Sequence, residues 1–100
     1  MTEENQFIIA PSFIALYVPA GRIKPTASRD EIAERYGFCE DLANLLTEQA
    51  ATTRWELGIT ERDVLERIRA GLGGGDAPVS AAEADWIVRR LAELLDWPPL

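Results

Sequence analysis

Three segments of this chain begin with the same local signal for the start of a helix. In each of them a serine or threonine is followed three residues later by a carboxylate: "SRDE" from Ser28, "TERD" from Thr60 and "SAAE" from Ser80. The hydroxyl and the carboxylate can bond to backbone N–H groups that a helix N-terminus otherwise leaves without partners. The chain is therefore predicted to be all-α, a small bundle of three main helices.

The longest predicted helix starts at Ser28 and ends near Gly58, which suits the left-handed conformation of a helix C-terminus. Its apolar positions recur at steps of three and four residues, as expected for a buried face: Ile32, Tyr36, Cys39, Ala43, Leu46 and Ala50. Phe38 and Leu45 lie on a neighbouring face and need a cover. That cover is either the apolar N-terminal segment around Phe13 or a second copy of the protein. We favour the N-terminal segment, because it must itself be buried.

Two shorter helices and a short N-terminal helix complete the predicted bundle. The apolar stripe of the shorter helix that starts at Thr60 consists of Val64, Leu65, Ile68 and Leu72. That of the helix that starts at Ser80 consists of Ile87, Val88, Leu91, Leu94 and Leu95. The apolar run "APSFIALYVP" fits a strand or a short helix, and Pro11 favours the helix. We expect one domain over residues 1–100, with residues 1–6 disordered, residues 19–27 forming an irregular arm and residues 72–79 forming a glycine-rich tether.

The composition argues against several classes of function. The net charge of −7, from 17 acidic and 10 basic residues, repels nucleic acid and anionic membranes. The chain has no histidine and a single cysteine, which excludes histidine triads, imidazole metal sites and an intrachain disulfide. That cysteine, Cys39, lies on the apolar stripe and is interpreted as a core residue. We predict a non-enzymatic protein without catalytic residues, bound metal or cofactor.

The glycine-rich stretch "GLGGGDAP" invites comparison with a phosphate-binding loop. Such a loop follows a strand and supplies a lysine and a magnesium-binding hydroxyl. Here the stretch follows a predicted helix, and Asp76 stands beside the glycines. Lys24, the single lysine, is distant in sequence. The stretch is therefore interpreted as a tether between two helices.

The N-terminal apolar run, residues 7–18, is too short to span a bilayer, which needs about 20 residues. Pro11 also interrupts it. The preceding "MTEENQ" is acidic where a secretory signal carries positive charge. We expect a cytoplasmic protein that binds neither membrane nor nucleic acid.

A basic group is the first candidate for binding. Arg22, Lys24 and Arg29 gather just before and at the start of the long helix in an otherwise acidic chain. They either pair with the surplus carboxylates or bind an anion such as a nucleotide phosphate.

Aromatic residues near the C-terminus are the second candidate. Trp86 falls off the centre of its helix's apolar stripe, beside Arg90, and Trp97 lies in the tail. Tryptophan and arginine are common anchors of protein interfaces. Trp86, Arg90 and Trp97 are therefore predicted to contact a protein partner, and closure of the protein's own core is the alternative for the tryptophans.

Four stretches in this order resemble a family of bacterial proteins of similar length and uncharacterised function: "PSFIALYVPAGRIKPT", "RYGFCEDLANLLTE", "ERDVLERIRAGL" and "AEADWIVRRLAELLDW". Members of that family are sometimes labelled "ATPase with chaperone activity". The likeness covers nearly the whole chain. It implies a bacterial cytoplasmic protein with a helical fold, and it transfers no catalytic residue.

These patterns predict a small protein-interaction or adaptor module, acting alone or as a homodimer, with a protein partner that the sequence does not identify. The alternative is an accessory protein that binds a small anion or nucleotide phosphate, chaperone-like and working alongside a larger ATPase.

Overall fold

A computed structural model, which describes residues 8–73 and 77–100, contains four α-helices and no strand in those residues. Helix α1, Pro11–Ile14, continues into one 3₁₀ turn, Ala15–Tyr17. The main helices are α2, Arg29–Leu57; α3, Glu61–Leu72; and α4, Ala81–Leu95. The predicted all-α bundle with a short N-terminal helix is confirmed. Residues 19–27 contain no helix. Residues 1–6, for which disorder was predicted, lie outside the described residues. The same is true of residues 74–76, in the middle of the predicted tether.

The three predicted helix starts are N-terminal caps in the structure. Ser28 Oγ accepts the N–H of Glu31 at 3.2 Å, and the Glu31 carboxylate accepts the N–H of Ser28 at 2.9 Å. Ser80 and Glu83 repeat this pair at 3.1 and 2.9 Å. Thr60 caps α3 with one bond, and the described residues show no return bond. Its partner is an aspartate, one methylene shorter than the glutamate of a full capping box.

Helices α2 and α4 each end at a residue in the left-handed conformation. Gly58 has φ 64° and donates its N–H to the Arg54 carbonyl at 2.9 Å, which ends α2 as predicted. At the end of α4 the left-handed position is held by Asp96, with φ 59°. The N–H of Trp97 bonds to the Ala92 carbonyl at 2.8 Å. The chain therefore turns away before the two prolines, and aspartate tolerates this conformation better than most side chains.

Helix α2 is the long element on which α3 and α4 pack. Around the aromatic ring of Phe13, the N-terminal segment, α2 and α4 form one core cluster. A second cluster joins α3 to the other two helices, and its buried members are Ala50, Val64, Leu65, Val88, Leu91 and Ala92. The apolar stripes predicted from the sequence supply most of the second cluster but only part of the first, which also contains Ile9, Phe13 and Trp86. The buried side of α2 is lined by Ile32, Cys39, Ala43 and Ala50.

Candidate functional site

Glu83 is the charged side chain that the described part of the protein buries, at 5% exposure. Its carboxylate accepts hydrogen bonds from Arg35 Nε at 3.0 Å and Nη2 at 2.8 Å, from the Ser80 N–H at 2.9 Å and from the Tyr17 hydroxyl. Arg35 Nη2 also donates to the Pro78 carbonyl at 2.9 Å. The network therefore ties together the N-terminal segment, α2 and the start of α4.

The electrostatics of this network fit a structural role. Burial raises the pKa of Glu83, but the hydrogen bonds from Arg35, Tyr17 and the Ser80 backbone outweigh it and lower the pKa to about 2. Burial and the bond to Glu83 raise the pKa of Tyr17 to about 12. A carboxylate with so low a pKa is a weak general base at neutral pH. The network is thus an internal tie between elements.

Trp86, predicted to contact a partner, lies in the core with 7% of its surface exposed. Its ring meets Phe13 edge to face at 5.0 Å between centroids and Tyr36 at 5.6 Å. The indole N–H donates to Ser12 Oγ at 2.9 Å. The N-terminal segment therefore packs against the side of α4 that lies next to its apolar stripe. Trp86 thus gives most of its surface to the core, and it also lines a recess of about 180 Å³ together with Arg90.

The two residues grouped with Trp86 are also engaged inside the fold. Arg90 donates hydrogen bonds from Nε and Nη2 to the Glu40 carboxylate, each at 2.9 Å, and from Nη1 to the Glu93 carboxylate at 3.1 Å. The hydrogen bond from Arg90 lowers the pKa of Glu40. Trp97 is half-buried and packs against the second core cluster. The structure therefore brings Trp86 and Arg90 together at one recess, which Trp97 does not line.

The basic group is exposed, and none of Arg22, Lys24 and Arg29 forms an ion pair with another described residue. Arg29 lines an apolar recess of about 270 Å³ together with residues such as Ile9 and Ile32. Arg22 and Lys24 do not line that recess. The cations thus share one region of the surface without converging on a single pocket.

Cys39 is fully buried, as predicted for a core residue. Burial, followed by the nearby charge of Glu83, raises the pKa of its thiol to about 11. A thiol of that pKa is protonated at neutral pH and is a poor nucleophile. In the described ranges, no three histidine, cysteine, aspartate or glutamate residues lie close enough together to hold a metal ion.

The outward side of α2 carries a row of exposed residues that we name the outer stripe: Glu34, Phe38, Asp41, Leu45, Glu48, Thr52 and Trp55. Successive members are four and three residues apart in alternation. On a helix that turns by about 100° per residue, this row lies roughly opposite the buried positions of α2. Leu45 is 75% exposed, Trp55 87% and Phe38 42%. Phe38 has one face under the Arg35 guanidinium, 5.1 Å from its ring centre.

The prediction that the N-terminal segment covers Phe38 and Leu45 was wrong. The N-terminal segment does pack on α2, with Phe13 and Tyr36 ring centres 5.4 Å apart, but on the inner side of the helix. It leaves the outer side open. Sequence reasoning identified Phe38 and Leu45 but missed the three carboxylates and Trp55 of the stripe. The signal that could have found them is their own seven-residue spacing, which runs parallel to that of Phe38 and Leu45.

Comparisons with known proteins add no relative, because the chain matches no protein-family model, no curated protein and no solved structure. The resemblance to a bacterial family therefore stays a prediction. Across residues 8–73 and 77–100, none of the helices has both the length and the apolar character needed to cross a membrane.

Proposed function

We propose that this protein is a non-enzymatic interaction module that binds a protein partner through the outer stripe of α2. The observation that carries the proposal is the exposure of Leu45 and Trp55 on a helix whose opposite side already supplies the core. An ordinary surface helix is polar on its outward side. Large apolar side chains held outward on an ordered helix favour contact with another protein, and tryptophan is enriched among the anchors of interfaces.

The chemistry of the buried groups supports a role without catalysis. The thiol of Cys39 is buried with a raised pKa, and the Glu83 carboxylate is enclosed by its donors. With no histidine in the chain, the usual general base near neutral pH is also missing. A cytoplasmic location is part of this proposal.

A second candidate function is the binding of a small anion or nucleotide phosphate. The observation that favours it is the exposure of Arg22, Lys24 and Arg29 without ion pairs among the described residues. Because the cations do not converge, we rank this function below the first. We expect ATP and phosphate titrations at physiological salt to be the same for the wild type and for Arg22→Ala/Lys24→Ala. A saturable, salt-sensitive signal that the variant loses would place anion binding first.

The test of the interaction module compares two exposed apolar sites. Leu45→Gln/Trp55→Gln removes apolar surface from the stripe, and Ile23→Gln, at a residue 92% exposed on the arm, is the matched control. Tagged proteins are purified from the source cells, and the partner recovered with the wild type is titrated by calorimetry. We expect the double variant to lose binding with unchanged urea unfolding, and the control to bind like the wild type. Equal binding by all three proteins would contradict the proposal.

A further inference from the structure

The outer stripe has an internal order that restricts its partner. Glu34, Asp41 and Glu48 recur every seven residues, and Trp55 continues their register. Phe38, Leu45 and Thr52 form the other row, also seven residues apart. A spacing of four and three residues in alternation is the 3.5-residue period of helices packed side by side in a left-handed pair. The stripe is therefore a row that a second helix laid along α2 can contact over its whole length.

The carboxylates of the stripe are not neutralised by this chain. Glu34, Asp41 and Glu48 are exposed, and none of them forms an ion pair or a side-chain hydrogen bond with another described residue. None of the seven stripe positions is a lysine or an arginine. The neighbouring Arg35 is directed to Glu83 instead. The stripe thus presents three uncompensated negative charges beside its apolar side chains.

A second copy of the protein fits this surface poorly. Pairing two outer stripes would bring six carboxylates into one interface without a cation from either stripe. Like charges brought together in an interface oppose association, and charges of opposite sign that face each other favour it. The same reasoning favours a partner of opposite charge.

We infer that the partner segment is a basic amphipathic helix that lies along the outer stripe. Its apolar side chains contact Phe38, Leu45 and Trp55, and its lysine or arginine side chains face Glu34, Asp41 and Glu48. The inference rests on the proposed function and specifies the chemistry of its partner. From residue 34 to residue 55 the stripe is about 32 Å long at 1.5 Å per residue, so a partner helix of about three heptads covers it.

Two synthetic peptides test this chemistry directly. Both have three heptads, with leucine at one core position and alanine and glutamine elsewhere to favour a helix. The second core position is lysine in one peptide and glutamate in the other. Fluorescence anisotropy with the full-length protein measures each affinity. We expect the lysine peptide to bind at least about tenfold more tightly than the glutamate peptide at low salt, and this preference to shrink as salt is added. Equal affinities, or no binding by either peptide, overturn the inference.

Neutral variants locate the charges responsible. Glu34→Gln/Asp41→Asn/Glu48→Gln removes the stripe carboxylates, and a control of equal charge change removes three carboxylates elsewhere: Asp63→Asn/Glu66→Gln/Asp96→Asn. We expect the stripe variant to lose about tenfold in affinity for the lysine peptide, and the control variant to change it by less than about threefold. Equal effects of the two variants would mean that net charge alone attracts the peptide, and would overturn the inference.

Failure of the inference can be told apart from failure of the proposed function. The recovered cellular partner is titrated against the neutral stripe variant and against Leu45→Gln/Trp55→Gln. Loss of binding in both variants supports both proposals. If only the apolar variant loses binding, the interaction site stands and its partner is not basic. If the apolar variant keeps its affinity, the outer stripe is not the binding site and both proposals fail.

Discussion

Helices α4 and α2 use their apolar residues in different ways. On α4 the large apolar side chains Ile87, Val88 and Leu91 are at most 3% exposed, and the outward positions Asp85 and Arg89 are charged. On α2 one row of small and apolar residues is buried while Leu45 and Trp55 stand in solvent. Packing within the fold explains every large apolar residue in the middle of α4. It explains only one side of α2, and the proposed partner accounts for the other.

The difference extends to residues off the main stripes. On α4, Trp86 and Glu83 lie beside the stripe. Phe13 of the N-terminal segment packs against Trp86, and Arg35 of α2 donates hydrogen bonds to Glu83. No described segment does the same for Leu45 or Trp55 on α2. If this comparison is right, substitutions on α4 should be costly to stability, and those on the outer side of α2 should be tolerated.

The largest difference is expected between two leucines. Leu91→Ala on α4 deletes a fully buried side chain and should lower the free energy of unfolding by about 2–5 kcal/mol. Leu45→Ala on α2 should change it by less than about 0.5 kcal/mol, because the side chain is 75% exposed. Urea unfolding followed by circular dichroism measures both. Similar losses for the two variants would show that the outer side of α2 is packed in the monomer.

A smaller loss is expected from Glu83→Gln. Glutamine can still complete the cap with Ser80 through its carbonyl oxygen, so the substitution removes the charge paired with Arg35 together with the oxygen that accepts the Tyr17 hydroxyl and Arg35 Nε. We expect a loss of about 2 kcal/mol at neutral pH, less than for a fully buried pair, because the Arg35 side chain is 35% exposed and can be rehydrated. The same urea experiment measures it, and an unchanged midpoint would contradict a stabilising role for this pair.

The pH dependence of stability checks the same pair independently. The pKa of Glu83 is lowered from 4.5 to about 2 in the fold, so between these values the unfolded chain binds the proton more readily. The stability contributed by Glu83 is therefore present above pH 4.5 and is lost as the pH falls towards about 2. We expect Glu83→Gln to flatten the stability profile in this window relative to the wild type. Parallel profiles for the two proteins would refute the lowered pKa.

A small gain in stability is expected from a substitution at Gly37, on the outer side of α2. A Cβ added at Gly37 meets nothing within 4 Å, so Gly37→Ala should stabilise the protein by about 0.5–1 kcal/mol through helix propensity. Gly58→Ala is the control, because its φ of 64° should make the same change destabilising by about 1 kcal/mol. Thermal unfolding of both variants measures the two signs. Destabilisation by Gly37→Ala would mean that the space beside the stripe is occupied.

The fold could be predicted from local signals, whereas the site could be predicted only in part. The hydroxyl-to-carboxylate pairs marked three helix starts, and the periodic stripes identified most of the second core cluster and part of the first, because both signals depend on neighbours within one helix. The ties of Arg35 to Glu83 and of Arg90 to Glu40 join residues 48 and 50 positions apart. Such pairs depend on how helices pack. The same limit explains Trp86, whose cover comes from a distant segment.

The outer stripe itself was visible in the sequence as a seven-residue spacing. What the sequence could not decide was whether another part of the chain covers it. That depends on which side of α2 receives the N-terminal segment, and Phe13 settles on the inner side, next to Tyr36 and Trp86.

The most direct test of the outer stripe as a binding surface is an NMR titration of the ¹⁵N-labelled protein with the lysine peptide. Its three indole N–H signals report on different regions: Trp55 on the stripe, Trp86 in the core and Trp97 beside α3 and α4. Trp55→Phe assigns the first of them. We predict that the Trp55 indole and the backbone amides from residue 34 to residue 55 shift in a saturable way, while the Trp86 indole stays unchanged. Shifts confined to the arm that carries Arg22 and Lys24, or to the surroundings of Trp86 and Trp97, would contradict the assignment of the outer stripe as the binding surface.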